Sequence, residues 1–203
     1  MNRILGVIVF AFILVCSQAH AATVLSYSSS PTSWIGEGES GVLTESANIV
    51  FTPSSLYWNG IQMWVEDNVN FESYFIVLFP PTGQSLAEGN YLNAERSPTA
   101  TVGGLDVSMK GHGANVVAGQ FRILELEVDG GGVPTKLAVD FVEYVEGVET
   151  DWVKGSIRYN SDVLVHHGPA AVPIDSNTEL AILACALAFA GCFVVKRRLG
   201  KVR

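Results

Sequence analysis

A charged side chain inside an apolar strand marks either a structural ion pair or a site of chemistry. This chain has two such residues. Asp140 stands in the apolar run 135–145 and Arg158 in the run 152–160. As a buried or half-buried ion pair they would stabilise the fold, and removing one partner would cost several kcal/mol. As a lone carboxylate, Asp140 would instead bind or catalyse; the ion pair is the plainer reading. The four tryptophans are Trp34, Trp58, Trp64 and Trp152. Two coplanar exposed indoles would stack on sugar rings, whereas tryptophans more often fill a core. Trp34, Trp58 and Trp64 are the candidate ligand platform, and Trp34, in a glycine-rich loop, is the strongest exception to core packing. His112 lies between Gly111 and Gly113 and reads as a loop imidazole, and His166 and His167 read as solvated linker residues. Glu37, Glu39 and Glu45 are of the type that helps hold Ca²⁺, but no EF-hand pattern accompanies them and a solvated acidic face is expected. No Ser-His-Asp spacing, G-x-S-x-G, HExxH, P-loop or CxxC is present. The sequence therefore assigns no catalytic residue, no metal ligand and no cofactor.

The two ends of the chain set where any such site would be displayed. Arg3, the apolar stretch 4–15 and Ala19-His20-Ala21 have the order of an export signal, with cleavage expected after Ala21 by signal peptidase. Val15 precedes Cys16 where a lipobox requires a small residue, which argues against lipidation. At the other end, residues 180–195 are sixteen residues without a charge. As a helix they span about 24 Å, a little short of the roughly 30 Å hydrocarbon core, and flanking lysine and arginine side chains can snorkel to make up the difference. Lys196, Arg197, Arg198, Lys201 and Arg203 follow. By the positive-inside rule this cluster stays cytoplasmic and the body faces out.

Charge supports the same division. Residues 22–179 hold all twenty acidic residues and six of the twelve basic ones, a net charge of −14. So acidic a body argues against nucleic acid and anionic lipid headgroups as partners. Its length suits one domain with a single core. Cys16, Cys185 and Cys192 all fall outside it, so no disulfide is available to the domain.

Within the body, strand signals recur and no amphipathic helix does. The expected strands cover 24–30, 42–51, 56–66, 74–79, 91–96, 101–109, 120–128, 135–145 and 152–160. Ile61, Met63 and Val65 alternate with Gly60, Gln62 and Trp64, the period of a half-buried strand. The continuous apolar run 74–79, ended by Pro80-Pro81, predicts a strand buried on both faces. The expectation is an all-β fold, an antiparallel β-sandwich of jelly-roll-like form. The domain plan is a signal peptide over 1–21, the exported domain over 22–161 and a linker with sorting motif over 162–179. A transmembrane helix over 180–195 and a basic cytoplasmic tail over 196–203 complete it.

Two resemblances join these readings. The tail opens on Val172-Pro173, continues into the apolar helix and ends on Lys196, Arg197 and Arg198. This layout resembles the PEP-CTERM and IPTL-CTERM sorting signals of Gram-negative bacteria, which exosortase-type membrane proteases process. Ile174-Asp175 stand where a PEP signal has Glu-Pro, and no tryptophan lies near Thr178 as in an IPTL signal. In the body, G-L-D-V-S at 104–108, G-Q-F-R-I-L-E at 119–125, A-V-D-F-V-E-Y-V-E-G at 138–147 and G-S-I-R-Y-N-S at 155–161 resemble an uncharacterised β-rich domain of exported bacterial proteins. That resemblance implies an exported life and no activity. It also implies cysteines in relatives at the positions of Ala114 and Val145, and so a close approach of these two, with Cβ atoms about 4–5 Å apart.

The resulting expectation is an exported, envelope-anchored or surface-sorted protein with a structural or interaction role. Its partners would be the inner membrane, signal peptidase and an exosortase-type protease. A glycan-binding module contacting extracellular polysaccharide is the alternative. A hydrolase or lyase on a jelly roll would need a cleft with paired carboxylates and a base, which the sequence does not display.

Overall fold

A computed structural model describes residues 21–165. Residues 1–20 of the expected leader (1–21), and residues 166–203 with His166, His167, the expected sorting motif, apolar helix and basic tail, lie outside the described residues. Eleven strands follow in order: β1 (Ala22–Ser29), β2 (Ser40–Thr44), β3 (Ile49–Ser55), β4 (Ile61–Asp67), β5 (Glu72–Phe79) and β6 (Gly89–Glu95). Then come β7 (Gly104–Met109), β8 (His112–Gly113), β9 (Val117–Val128), β10 (Pro134–Val145) and β11 (Trp152–Ser161). The class is all-β, and one 3-10 turn, Tyr57–Asn59, joins β3 to β4.

The strands form one hydrogen-bonded path, β2-β1-β11-β10-β9-β6-β7-β5-β4-β3, with β8 paired to β7. Every pairing is antiparallel except a single parallel bridge between Glu95 of β6 and Gly104 of β7. The two edge strands, β2 and β3, are consecutive in sequence and separated only by residues 45–48. The edges of the sheet are thereby tied together, and the sheet rolls into a nearly closed barrel. Rolling of this kind covers edges that would otherwise template aggregation. The half carrying β7, β5, β4 and β3 runs across the other half: the Val107 amide of β7 reaches the Glu143 carboxyl of β10, and a Cβ on Gly132, in the β9–β10 turn, would lie 3.7 Å from Ser55 at the end of β3.

Inward-facing residues of both halves make one core. It includes Leu25, Met63, Val65, Ile76, Leu78, Leu105, Phe121, Ile123, Val139, Phe141 and Ile157. The expected alternation in β4 is present, with Ile61, Met63 and Val65 buried. Three expectations are corrected. The strand expected over 56–66 begins only at Ile61, because Trp58 and Asn59, both at positive φ, turn the chain first. The run 74–79 is not buried on both faces: Tyr74, Ile76 and Leu78 face the core, while Phe75 and Val77 lie on the outer face, half-buried. An antiparallel sheet needs only one covered face, and here Trp64 stacks over Phe75, centroids 5.1 Å apart. The single strand expected over 42–51 is two strands, because residues 45–48 carry the chain from one edge of the sheet to the other. Ala114 and Val145 are both buried, and their chain neighbours are joined by the Asn115 amide donating to Glu146 Oε1 at 2.7 Å.

Candidate functional site

The three candidate tryptophans stand at three separate places. Trp34 lies in the loop between β1 and β2, Trp58 in the 3-10 turn, and Trp64 on the outer face of β4. Trp58 is packed edge-on against Tyr57 at an interplanar angle of 82°, so these exposed rings do not form the coplanar pair that a two-ring sugar platform requires. Trp64 and Phe75 are near parallel but stacked on each other, so each covers a face of its neighbour. The remaining tryptophan, Trp152, is half-buried and lies under the Lys154 ammonium at 4.0 Å.

Trp34 is the one embedded in a polar constellation. Its ring is stacked on His112 of β8, centroids 4.2 Å apart and 19° from parallel. His112 Nδ1–H donates to the Trp34 main-chain carbonyl at 3.0 Å, so the stack covers one face of the indole while this bond ties down the loop that carries it. With one face covered, Trp34 is still 60% exposed. Glu37 Oε1 lies 3.8 Å from His112 Nδ1. Beside this stack, Lys110 Nζ donates to Glu39 and lies 3.2 Å from Glu72 Oε1. Glu72 Oε2 in turn accepts from the Tyr74 hydroxyl at 2.7 Å, and Tyr74 meets the Tyr27 hydroxyl at 3.4 Å. The chain of contacts thus runs from β1 to the start of β5 and fastens the Trp34 loop to the opposite half of the barrel.

The electrostatics follow from these contacts. The Glu39 carboxylate, and after it Glu72, holds the Lys110 ammonium charged well above its ordinary range. Burial and the bond to Glu72 push the Tyr74 hydroxyl up and keep it neutral. Glu37 and Lys110 have positive φ, 53° and 54°, a left-handed conformation that is uncommon outside glycine. Each is followed by a glycine that is also left-handed, Gly38 and Gly111, and these paired turns set the position of the two loops. Glu39 and Glu37 are engaged in different contacts, and among the described residues no three His, Cys, Asp or Glu side chains are grouped to hold a metal.

Asp140 and Arg158 are paired, with Arg158 Nη2 2.8 Å from Asp140 Oδ1. Arg158 is fully buried on the outer face of β11. Its remaining donors go to the carbonyls of Val139 (3.0 Å), Ile157 (2.9 Å), Val163 (3.2 Å) and Leu164 (3.3 Å). All five guanidinium N–H groups are used. The segment after β11 is bound back over the sheet by this side chain, and Ser156 also donates to Asp140 Oδ1 at 2.8 Å. The arrangement leaves Asp140 engaged in structure.

Sequence reasoning did not find Glu143 or Lys110. Glu143 lies on the inward face of β10, fully buried, between Phe141 and Val145. Its Oε2 accepts from the Val107 amide at 2.8 Å, and its Oε1 has no partner. Burial pushes its carboxyl up to about 9, against the opposing effect of the Val107 bond. The signal was available: Leu137, Val139, Phe141, Glu143 and Val145 share one strand face, and the period-two pattern places a glutamate among apolar residues. Lys110 gave no signal, because its partners Glu39 and Glu72 are distant in sequence.

Comparison with protein-family models, with curated proteins and with solved structures finds no match. Among the described residues no helix is long and apolar enough to cross a membrane; the apolar stretch 180–195 lies outside them.

Proposed function

We propose that this chain is an exported, envelope-anchored β-domain whose role is to bind a partner through the Trp34 loop, on a jelly-roll-like sandwich formed by the two crossed halves of the rolled sheet. The observation that carries the reading is the Trp34–His112 stack: an exposed indole held from one side, with half-exposed carboxylates at its rim. A solvent-facing aromatic fixed in orientation is what a binding surface needs, because little conformational freedom is lost on contact. Export rests on Arg3, the apolar stretch 4–15 and the small-x-small site Ala19-His20-Ala21. β1 opens at Ala22, so cleavage after Ala21 removes none of the described strands. The fold also contains no cysteine and depends on its core alone, which suits either side of a membrane. Envelope anchoring rests on the apolar stretch 180–195, the cations after it and the layout shared with exosortase-type signals.

Protease added to spheroplasts of cells making the full chain tests the topology. Digestion of the body with a membrane-bound remnant is expected; complete protection of the body would overturn the reading. The glycan alternative is favoured by the same stack, with a single ring in place of a coplanar pair. Silence of the full chain on a broad panel of glycans would remove that alternative and leave a protein partner.

A further inference from the structure

We propose that the Trp34 platform takes an amino sugar with a free ammonium group, as found in a de-N-acetylated, cationic polysaccharide. This inference rests on the glycan reading above and specifies its ligand. An indole presents a flat, electron-rich face, and the C–H face of a pyranose stacks on such a ring while its substituents project around the rim. At this rim the projecting groups would meet carboxylates. Glu37 is half-exposed and sits 3.8 Å from the imidazole under the indole. Glu39 is half-exposed one turn further on.

The one nearby ammonium is not available to an anionic ligand. Lys110 is only 16% exposed at its side chain and is held by both Glu39 and Glu72. Three carboxylates, Glu37, Glu39 and Glu72, therefore stand against one committed lysine. The net charge of −14 over residues 22–179 adds a long-range field of the same sign. A uronate polymer is repelled at this rim, a neutral acetylated sugar gains only the stacking contact, and an ammonium-bearing sugar gains both stacking and a charge-assisted bond to Glu37.

The test uses the full chain in detergent micelles and compares glucosamine, N-acetylglucosamine and galacturonate oligomers of equal length, with tetralysine as a control for charge alone. Binding is read by calorimetry. The glucosamine oligomer is expected to bind about fivefold more tightly than its acetylated form, the ratio one half-exposed ion pair supplies. Galacturonate is expected not to bind. Trp34→Ala should abolish glucosamine binding while leaving any tetralysine binding unchanged, with the circular dichroism spectrum as a check on folding. Glu37→Gln should reduce glucosamine affinity to that of the acetylated oligomer. Equal, Trp34-dependent binding of both sugars would overturn the ammonium inference and keep the glycan reading. Glucosamine binding indifferent to Trp34→Ala would show charge attraction alone and overturn the site. No binding of any sugar would overturn both.

Discussion

Glu143 occupies a position that the pattern of β10 reserves for an apolar residue, and the consequence is a pH dependence of stability. Its carboxyl titrates near 9 in the folded chain against an ordinary value of 4.5. Between these values the folded state holds a proton that the unfolded state has released. Stability from this group is therefore fully present below about 4.5 and is lost as pH rises toward about 9, by up to about 1.4 kcal/mol per pH unit. Denaturant unfolding of Glu143→Gln should lack this decline across pH 6–9, and a parallel decline in the variant would assign it to other groups. Arg158 presents the opposite case, a permanent charge with every donor satisfied. Arg158→Ala is expected to cost about 3–5 kcal/mol because Asp140 and four carbonyls lose their donor. Asp140→Ala is expected to cost less, since a third of that side chain is exposed. Additive losses in a double-mutant cycle would contradict the pairing.

At the scale of elements, two glycines stand where a side chain would run into the backbone of the paired neighbouring strand. A Cβ at Gly119 of β9 would lie 2.5 Å from the Val142 carbonyl, and one at Gly155 of β11 would lie 2.6 Å from the Ser26 carbonyl. Both obstacles are backbone. Gly119→Ala and Gly155→Ala should each destabilise by about 1–3 kcal/mol, measurable as a fall in Tm, and an unchanged Tm would contradict the packing. Most strands were legible because their residues alternate, as Ile61, Met63 and Val65 do in β4. The outer face of β5 was misread because Phe75 is apolar for a local reason, the Trp64 stack, which strand periodicity does not encode. The split of β2 from β3 was hidden because residues 45–48 carry no proline or glycine to mark the crossing. Trp34 was legible as a loop residue from its glycine-rich surroundings. Its support was not, since His112 lies 78 residues away and only the rolling of the sheet brings the two together.

For the whole molecule, the rolled sheet explains how a domain with no cysteine over residues 22–161 keeps one core: its edges are tied by residues 45–48, and Lys110 fastens the Trp34 loop across the remaining seam. The first and last described strands are paired, Ala22 against Ser161, so the two ends of the described fold lie side by side. The measurement that tests this account most directly is the intact mass of the mature protein from fractionated native cells. A chain beginning at Ala22 is predicted. In an inner-membrane fraction it should end at Arg203, and in an outer or extracellular fraction it should end between Val172 and Asn177. A mass that retains Met1 to Ala21, in a soluble cytoplasmic fraction, would contradict export and anchoring together.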